Sequence, residues 1–560
     1  MKKPPKKAKK HTWKRGSTPR LSSSQPSHAW AWVALLLILV LDGLIRSRLL
    51  DVPLYRDEGE YAYMGQLLLQ GVPPYAEAYN MKFPGIYFFY ALVLAVFGET
   101  HRGIHLGLLV VNSITIILVF LLGKRVYGSW CGIVAAGVFA VLTLSPSVEG
   151  FWANSEHFVM LPVLGGILSL LNGLESGKRQ YLFLSGVLLG AGAMIKQHGA
   201  LFTLFAVLYI SYHSLEADPA PARVYMGRMG IFVAGCAIPF SLVLLYLLKA
   251  GVFPRFWFWT FTYAASYVSS TPIASGLANL KNNLWSVVRH SSIIWILAVA
   301  GLGVLWGDNN LRTKRPFMTG VLVFSFLSTC PGLYFRSHYF ILFFPAVALL
   351  AGIAAGAIAG KLATYHPAWI RTALPVMLTT LAICSPVYAE RNFLFRLSPD
   401  EACRELFGSN PFPESLVVAA YIEKNTKRDE RIAVVGSEPQ IYFYSHRRSA
   451  TGYIYTYALM ENQKHALSMQ KEMIREIEAH QPRYIIFANI AASWLISRDS
   501  EQFVLMWLPE YLKKYYEQEG VVDILSKEKT DYIWGAAARD YTPRTLSYLS
   551  IYRKKVEPAI

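Results

Sequence analysis

Three carboxylates stand within four residues at Asp57-Glu58-Gly59-Glu60, just past an apolar run. Like charges this close repel, so the chain must supply compensation nearby. Arg56 is adjacent, and a metal ion or another bound cation would serve as well. A second acidic site, Glu149 and Glu156, lies in a later polar loop. Carboxylates so placed suit a general base that takes the proton from an acceptor hydroxyl. They equally suit oxygen ligands for a divalent cation. No cofactor is certain from these residues, and a divalent cation on Asp57, Glu58 and Glu156 stays open. Ordinary solvated loop charge is the competing explanation, and Glu60 is the member most readily read that way.

Cations form the complementary set. Lys82 stands in Asn80-Met81-Lys82-Phe83-Pro84-Gly85, before a Pro-Gly break, and Lys196 follows an apolar run in Ile195-Lys196-Gln197-His198. Arg336 and His338 share the segment Phe335-Arg336-Ser337-His338-Tyr339. A snorkelling lysine at a membrane surface is the plain alternative for each lysine. Ionisable groups at membrane depth are nevertheless costly and often functional. Together these cations would hold a phosphate group leaving beside an acceptor that is being deprotonated. No HExxH, GxSxG or metal-spaced His/Cys cluster is present, which leaves zinc protease and serine hydrolase chemistry without support. The five cysteines include no CxxC pair and read as core residues.

The elements that must position these residues are membrane spans. The 560 residues are 54% hydrophobic and 16% charged, with mean hydropathy +0.32. Soluble chains carry about a quarter charged residues. Nine basic residues and no acid fall in the first twenty positions, so the net charge of +18 is concentrated in a tail, 1–28. Such a run before a span reads as a cytoplasmic anchor that sets orientation, not as a nucleic-acid site. Apolar runs mark candidate spans near 30–50, 104–123, 130–147, 157–174, 181–195, 199–212, 229–249, 291–306, 317–334, 339–360 and 371–388. The run at 84–98 is shorter and reads as interfacial or re-entrant. If it does not cross, the loops bearing Lys124-Arg125, Lys178-Arg179, Arg223/Arg228, Arg312/Lys314/Arg315 and Lys361/Arg371 all fall inside with the tail. The expectation is therefore eleven spans over 29–388. The loop 51–103 and residues 389–560 would both lie outside.

From about 389 charges and turn residues become frequent. Segments 431–435 and 483–487 predict buried strands, and 461–480 predicts an amphipathic helix between them, so 389–560 reads as an α/β domain. The aromatic stretch Phe256-Trp257-Phe258-Trp259 with Tyr263 suits an interfacial belt.

These motifs, in this order, resemble the GT-C membrane glycosyltransferases, on the bacterial branch related to protein O-mannosyltransferases and the lipid A aminoarabinose transferase. Asp57-Glu58-x-x-Tyr61 resembles that family's Asp-Glu motif in the first outer loop, and Lys82-Phe83-Pro84 its Lys-Pro-Pro element. Asn154-Ser155-Glu156-His157 stands where relatives carry a second acid, here Glu in place of Asp. Lys196, the stretch His338-Tyr339-Phe340 to Pro345, and Gly436-Ser437-Glu438-Pro439-Gln440-Ile441-Tyr442 are similar to later family segments.

The resemblance implies a polytopic α-helical GT-C fold with interfacial helices in the first outer loop and a C-terminal α/β domain. It implies an inverting hexosyl- or pentosyltransferase of the plasma membrane, fed by a sugar on a polyprenyl phosphate such as undecaprenyl phosphate. The acceptor would be a lipid, glycan or protein hydroxyl. Asp57 would be the base, Glu58 and Glu156 would orient the acceptor or hold a cation, and Lys82, Lys196, Arg336 and His338 would receive the phosphate. A transporter or flippase of lipid-linked glycan intermediates is the competing function. Its charges, however, would be expected along helix centres, whereas these cluster at outer ends. A non-catalytic assembly or receptor-like protein is the other alternative.

Overall fold

The computed structural model describes residues 29–269, 271–363 and 367–555; the basic tail 1–28 lies outside them. Residues 29–249 supply nine long helices: α1 Ala29–Ser47, α2 Arg56–Leu69, α3 Gly85–Phe97, α4 His101–Tyr127, α5 Ser129–Thr143, α6 Ser155–Ser176, α7 Arg179–Ile195, α8 Ala200–Tyr212 and α9 Ala222–Lys249. Ser292–Gly307, Arg315–Leu327, Phe344–Leu362 and Ala368–Ala389 follow, so each apolar run contains a helix. Among the described residues six helices are long and apolar enough to cross a membrane, or seven if Ile273–Arg289 and Ser292–Gly307, bent by 104°, count as one. The protein is a multi-pass, mostly helical membrane protein.

Two of the expected spans are shorter than their apolar runs. The 317–334 run leaves the helix at Leu327, and a short 3-10 turn at Pro331–Leu333 follows. The 339–360 run begins as a 3-10 turn, Ser337–Leu342, before the helix at Phe344. Pro331 lacks a backbone donor and Gly332 takes φ 75°, which stops a helix continuing through them. The result is an irregular segment that holds Arg336 and His338.

The segment from 51 to 102 leaves and returns at one end of the bundle. The Arg102 guanidinium donates to Asp51 at 2.8 Å, and His105 Nδ1 lies 2.9 Å from the Leu50 carbonyl oxygen. The thirteen-residue α3 within it therefore does not carry the chain to the other end.

The C-terminal region contains a five-stranded sheet, β1 Ile432–Val435, β2 Tyr484–Asn489, β3 Tyr516–Ile524, β4 Thr530–Trp534 and β5 Tyr548–Lys554, in the order β1-β2-β5-β3-β4. β1 and β2 are parallel, joined through the helix Ala466–His480; the other pairs are antiparallel. That helix starts at Ala466, not at Glu461, because 461–465 is an irregular turn. β3 to β5 have no counterpart in the sequence reading. β3 is interrupted by a register shift between Gln518 and Gly520, and β4 is short and half-exposed, so neither shows clean alternation.

The sheet region is locked onto α2. Arg56 is buried and donates to Glu438 at 2.6 Å, to the Ser437 carbonyl at 2.5 Å and to Asn410 at 2.9 Å. Its charge is thus spent on Glu438, not on the neighbouring acids as the sequence suggested. Gly59 presses on Gln440, where an added Cβ would meet the Gln440 nitrogen at 2.6 Å. Tyr63 stacks on Tyr442 with ring centroids 5.1 Å apart, and its hydroxyl accepts from the Ser449 N–H at 2.8 Å. Removing one member of a buried ion pair leaves an uncompensated charge, at a cost of about 3–5 kcal/mol. Arg56→Met should lower stability by that order in a detergent unfolding assay, and Arg56→Met with Glu438→Gln should recover a large part of it.

Candidate functional site

A cavity of about 420 Å³ opens between the helical bundle and the sheet region. Its lining is largely apolar, with Phe83, Ile86, Ile195, Phe261 and Val268 among the residues. The same lining includes Asp57, Lys82, Lys196, Arg336 and His338, five groups brought together from four separate segments. A second chamber of about 330 Å³ adjoins it, and Asp57, Arg336, His338, Tyr455 and Tyr457 line both.

Asp57 sits in the first turn of α2, where a carboxylate is favoured by the helix dipole. Lys82 Nζ lies 3.1 Å from Asp57 and 2.8 Å from Glu60. The side chains of Lys82 and Asp57 keep 23% and 16% of their surface, enough for a ligand to reach them, whereas Glu60 keeps none. Lys82 also stands over the Tyr61 ring, 4.5 Å from its centroid. The Tyr455 hydroxyl donates to Asp57 at 2.9 Å. Burial opposes the Asp57 charge, but Lys82, Arg336, His338 and the Tyr455 hydroxyl outweigh it and hold the carboxyl well below its usual range. Burial likewise works against the Lys82 charge, and Asp57 and Glu60 overturn it, so the ammonium is held firmly.

Lys82 reaches this position because the chain breaks sharply after it. Gly85 begins α3 against the end of α7, and an added Cβ would meet the Met194 carbonyl at 2.3 Å. Lys196 ends α7 in an extended conformation, pairs with Glu156 and stands 4.2 Å from the Tyr339 ring centroid. His338 Nδ1 is 3.1 Å from Glu149, and its Nε2 is 4.0 Å from Glu156. Arg336 differs from the other cations. No carboxylate among the described residues pairs with it; its guanidinium stands 5.8 Å from the Tyr334 ring centroid. Burial disfavours its charge, while Tyr267, Tyr339 and Asp57 sustain it.

Two predicted site residues do not line the cavity. Glu58 is fully buried, accepts from the Tyr55 and Ala153 N–H groups and lies 3.1 Å from His105 Nε2. It bolts α2 to α4 and to the loop before α6. Glu156 stands behind Lys196. Asp57 pairs with Lys82, Glu156 pairs with Lys196 and Glu58 lies against His105, so the trio considered for a divalent ion is not gathered. No group of three or more His, Cys, Asp or Glu suited to a metal occurs among the described residues. Glu60 is not solvated: Lys82 and the Tyr87 hydroxyl, each at 2.8 Å, hold it in the interior.

Known proteins share this architecture. ArnT from Cupriavidus metallidurans in the apo state superposes with TM-score 0.54 at 16% identity, over 94% of this chain and 98% of that one. The same protein bound to undecaprenyl phosphate gives TM-score 0.53 at 16% identity, over 83% and 94%. The apo Archaeoglobus fulgidus oligosaccharyltransferase gives TM-score 0.53 at 12% identity, over 90% and 74%. Residues 81–246 match the family model for dolichyl-phosphate-mannose-protein mannosyltransferase. The chain has the GT-C membrane glycosyltransferase fold. No curated protein sequence matches it. The matched stretch contains Lys82, Glu156 and Lys196. Asp57, Arg336 and His338 line the cavity from outside that stretch.

Sequence reasoning missed the contribution of the sheet region. Tyr455, Tyr457 and Glu461 line the cavity beside Tyr263 and Tyr267. The alternation Tyr453-Ile454-Tyr455-Thr456-Tyr457, far from any strand, was the available signal. The contrast between Asp57 and Glu58 is testable without an activity assay. Hydrogen bonds to a charged group contribute about 1.5–3 kcal/mol each. Glu58→Gln should destabilise the fold by about 2 kcal/mol and by more than Asp57→Asn, since Lys82 keeps Glu60 in the latter. Thermal unfolding of both variants in one detergent decides this.

Proposed function

We propose that this protein transfers a sugar from a polyprenyl-phosphate donor to an acceptor hydroxyl at the extracytoplasmic face of the plasma membrane. The observation that carries the reading is the junction of two chambers at Asp57 and Arg336. The apolar chamber suits the prenyl chain and its sugar, and the polar chamber suits a hydroxyl acceptor. ArnT, which shares the fold, binds undecaprenyl phosphate, and an Archaeoglobus fulgidus relative, AglB, binds dolichol phosphate with an inhibitory peptide. The basic tail 1–28 and the loop charges support an inside N-terminus and eleven spans.

In the proposed reaction the Asp57 carboxylate takes the proton of the acceptor hydroxyl. The acceptor oxygen attacks the anomeric carbon as the carbon–oxygen bond to phosphate breaks on the opposite face, which inverts that centre. The phosphate leaves with the bonding electron pair. Arg336 is the first cation to meet it because no carboxylate competes for it. Lys82, although paired with Asp57 and Glu60, is the second, because its side chain keeps 23% of its surface against 17% for Lys196. Lys196 and His338 are held by Glu156 and Glu149, so they shape the field at the site more than they bind the phosphate directly. No step in this scheme uses a metal ion.

A carboxyl held this low is a weak base in the empty site. A bound phosphate changes that, because its charge offsets Lys82 and Arg336, the cations that stabilise the carboxylate. The acid limb of kcat should therefore lie at higher pH than that of kcat/KM, since the first reports the complex and the second the free enzyme. Coincident limbs would contradict this account. Asp57→Asn should lower transfer by about 10²–10⁴-fold, measured in proteoliposomes supplied with undecaprenyl-phosphate-linked sugars and cell-envelope acceptors. Normal transfer by a folded Asp57→Asn protein would remove the base assignment. Flipping of lipid-linked sugar without transfer by the wild type would favour the transporter reading.

A further inference from the structure

The cavity holds one acid that the transfer scheme leaves unused. Glu461 caps the short helix Tyr457–Met460 of the sheet region and faces the cavity. The Tyr263 hydroxyl donates to it at 2.5 Å. Burial raises its pKa, against the opposing pull of that hydroxyl and of Arg336. Asp57 and Glu60 pair with Lys82 and Glu156 with Lys196, and Glu149 lies 3.1 Å from His338 Nδ1; Glu461 has no ion pair among the described residues. A part-buried carboxylate without a cation is costly unless something else supplies hydrogen-bond donors.

The element beside it is unusual. Phe258–Tyr263 is a π-helix, a widened turn that is rare and tends to occur at functional sites. It buries Trp259 and Tyr263, whose rings lie 5.2 Å apart at 69°. Trp259 also stacks on Tyr79 at 6.0 Å, which fixes that wall of the cavity. Aromatic faces beside one carboxylate suit a pyranose: rings cover its C–H faces, and a carboxylate accepts from its hydroxyls. Glu461 lines only the first, more apolar chamber and not the second. Its position is therefore on the donor side of Asp57.

We infer that Glu461 is a specificity-determining residue that accepts hydrogen bonds from hydroxyls of the sugar carried by the lipid donor. The inference rests on the polyprenyl-phosphate reading above. Its alternative is mechanical: Glu461 and Tyr263 merely clamp the π-helix to the sheet region. Two variants separate these roles. Glu461→Gln removes the charge and keeps the size. Tyr263→Phe breaks the same clamp and keeps the carboxylate.

The full chain in nanodiscs is titrated with undecaprenyl phosphate and with undecaprenyl-phosphate mannose, glucose and galactose, and binding is read by native mass spectrometry. Wild type should prefer at least one glycosylated lipid over the bare lipid by tenfold or more. Glu461→Gln should lose that preference while binding the bare lipid within about twofold of wild type, and Tyr263→Phe should retain most of it. The inference falls if Glu461→Gln keeps the preference, if it loses bare-lipid binding as well, or if Tyr263→Phe loses the preference equally. A wild type that binds bare lipid but prefers no glycosylated one overturns only the sugar-reading role. A wild type that binds none of these lipids overturns the polyprenyl-phosphate reading itself.

Discussion

The fold depends on burying one arginine, Arg56, at the first turn of a helix that stands between two regions. A guanidinium cannot give up its charge, so its burial demands a carboxylate and further acceptors. Glu438, the Ser437 carbonyl and Asn410 meet that demand from the C-terminal side of the chain. The contact then dictates where the next residue lies. With Arg56 turned into the sheet region, Asp57 faces the cavity, and Glu58 turns towards His105 and Ala153. Three adjacent residues thus serve three purposes: one joins the two regions, one enters the site and one fastens the bundle. The glycine that follows is needed for the close approach to Gln440.

Charge balance sets the character of the cavity. Glu58 and Glu60 of the opening cluster are buried and Asp57 is part-buried, and the acids do not share one counter-ion. Lys82 serves Asp57 and Glu60, while Glu58 has His105 and two backbone donors. Away from the cluster, Lys196 and Glu156 neutralise each other, as do His338 and Glu149 when the imidazole is protonated. Arg336 has no ion pair among the described residues: it stands near the Tyr334 ring, with Asp57 in its field at longer range. A weakly hydrated guanidinium tolerates such company, and it presents a planar fork that matches phosphate oxygens. The site is therefore poised for an anion at one place more than at the others, which pairwise lists of cations do not reveal.

Much of the architecture was legible in the sequence because membrane spans are long, uniform signals. Each apolar run contains a helix, and the short run at 84–98 is a helix that stays at one end. The buried strands at 432–435 and 484–489 were visible as compact apolar runs. The weaker, antiparallel half of the sheet was not, since its strands mix charge, glycine and exposed rings. At the site, residue types and spacing singled out Asp57, Lys82, Lys196, Arg336 and His338, all of which line the cavity. They did not distinguish Asp57 from Glu58, because neighbours on a helix point in directions about 100° apart and only packing says which direction is the cavity. Nor did they reveal Tyr455 or Glu461. Those side chains reach the cavity by tertiary contact across some four hundred residues from Asp57, and no local pattern encodes that.

The shared wall of the two chambers constrains how any chemistry here proceeds. Asp57, Arg336, His338, Tyr455 and Tyr457 face both. A ligand in the apolar chamber that brings negative charge to Arg336 and Lys82 must weaken the field that holds Asp57 ionised, since the same cations act on both. Its arrival makes Asp57 a better proton acceptor for whatever occupies the neighbouring chamber. Occupancy of one chamber thus changes the proton affinity of a group shared with the other, and no movement of the backbone is required. The tyrosines tie this coupling to the sheet region: Tyr455 touches Asp57, and Tyr457 lies within reach of Arg56. The sheet region that is fastened to α2 thus also helps, through the Tyr455 hydroxyl, to hold Asp57 ionised, beside the larger pull of Lys82, Arg336 and His338.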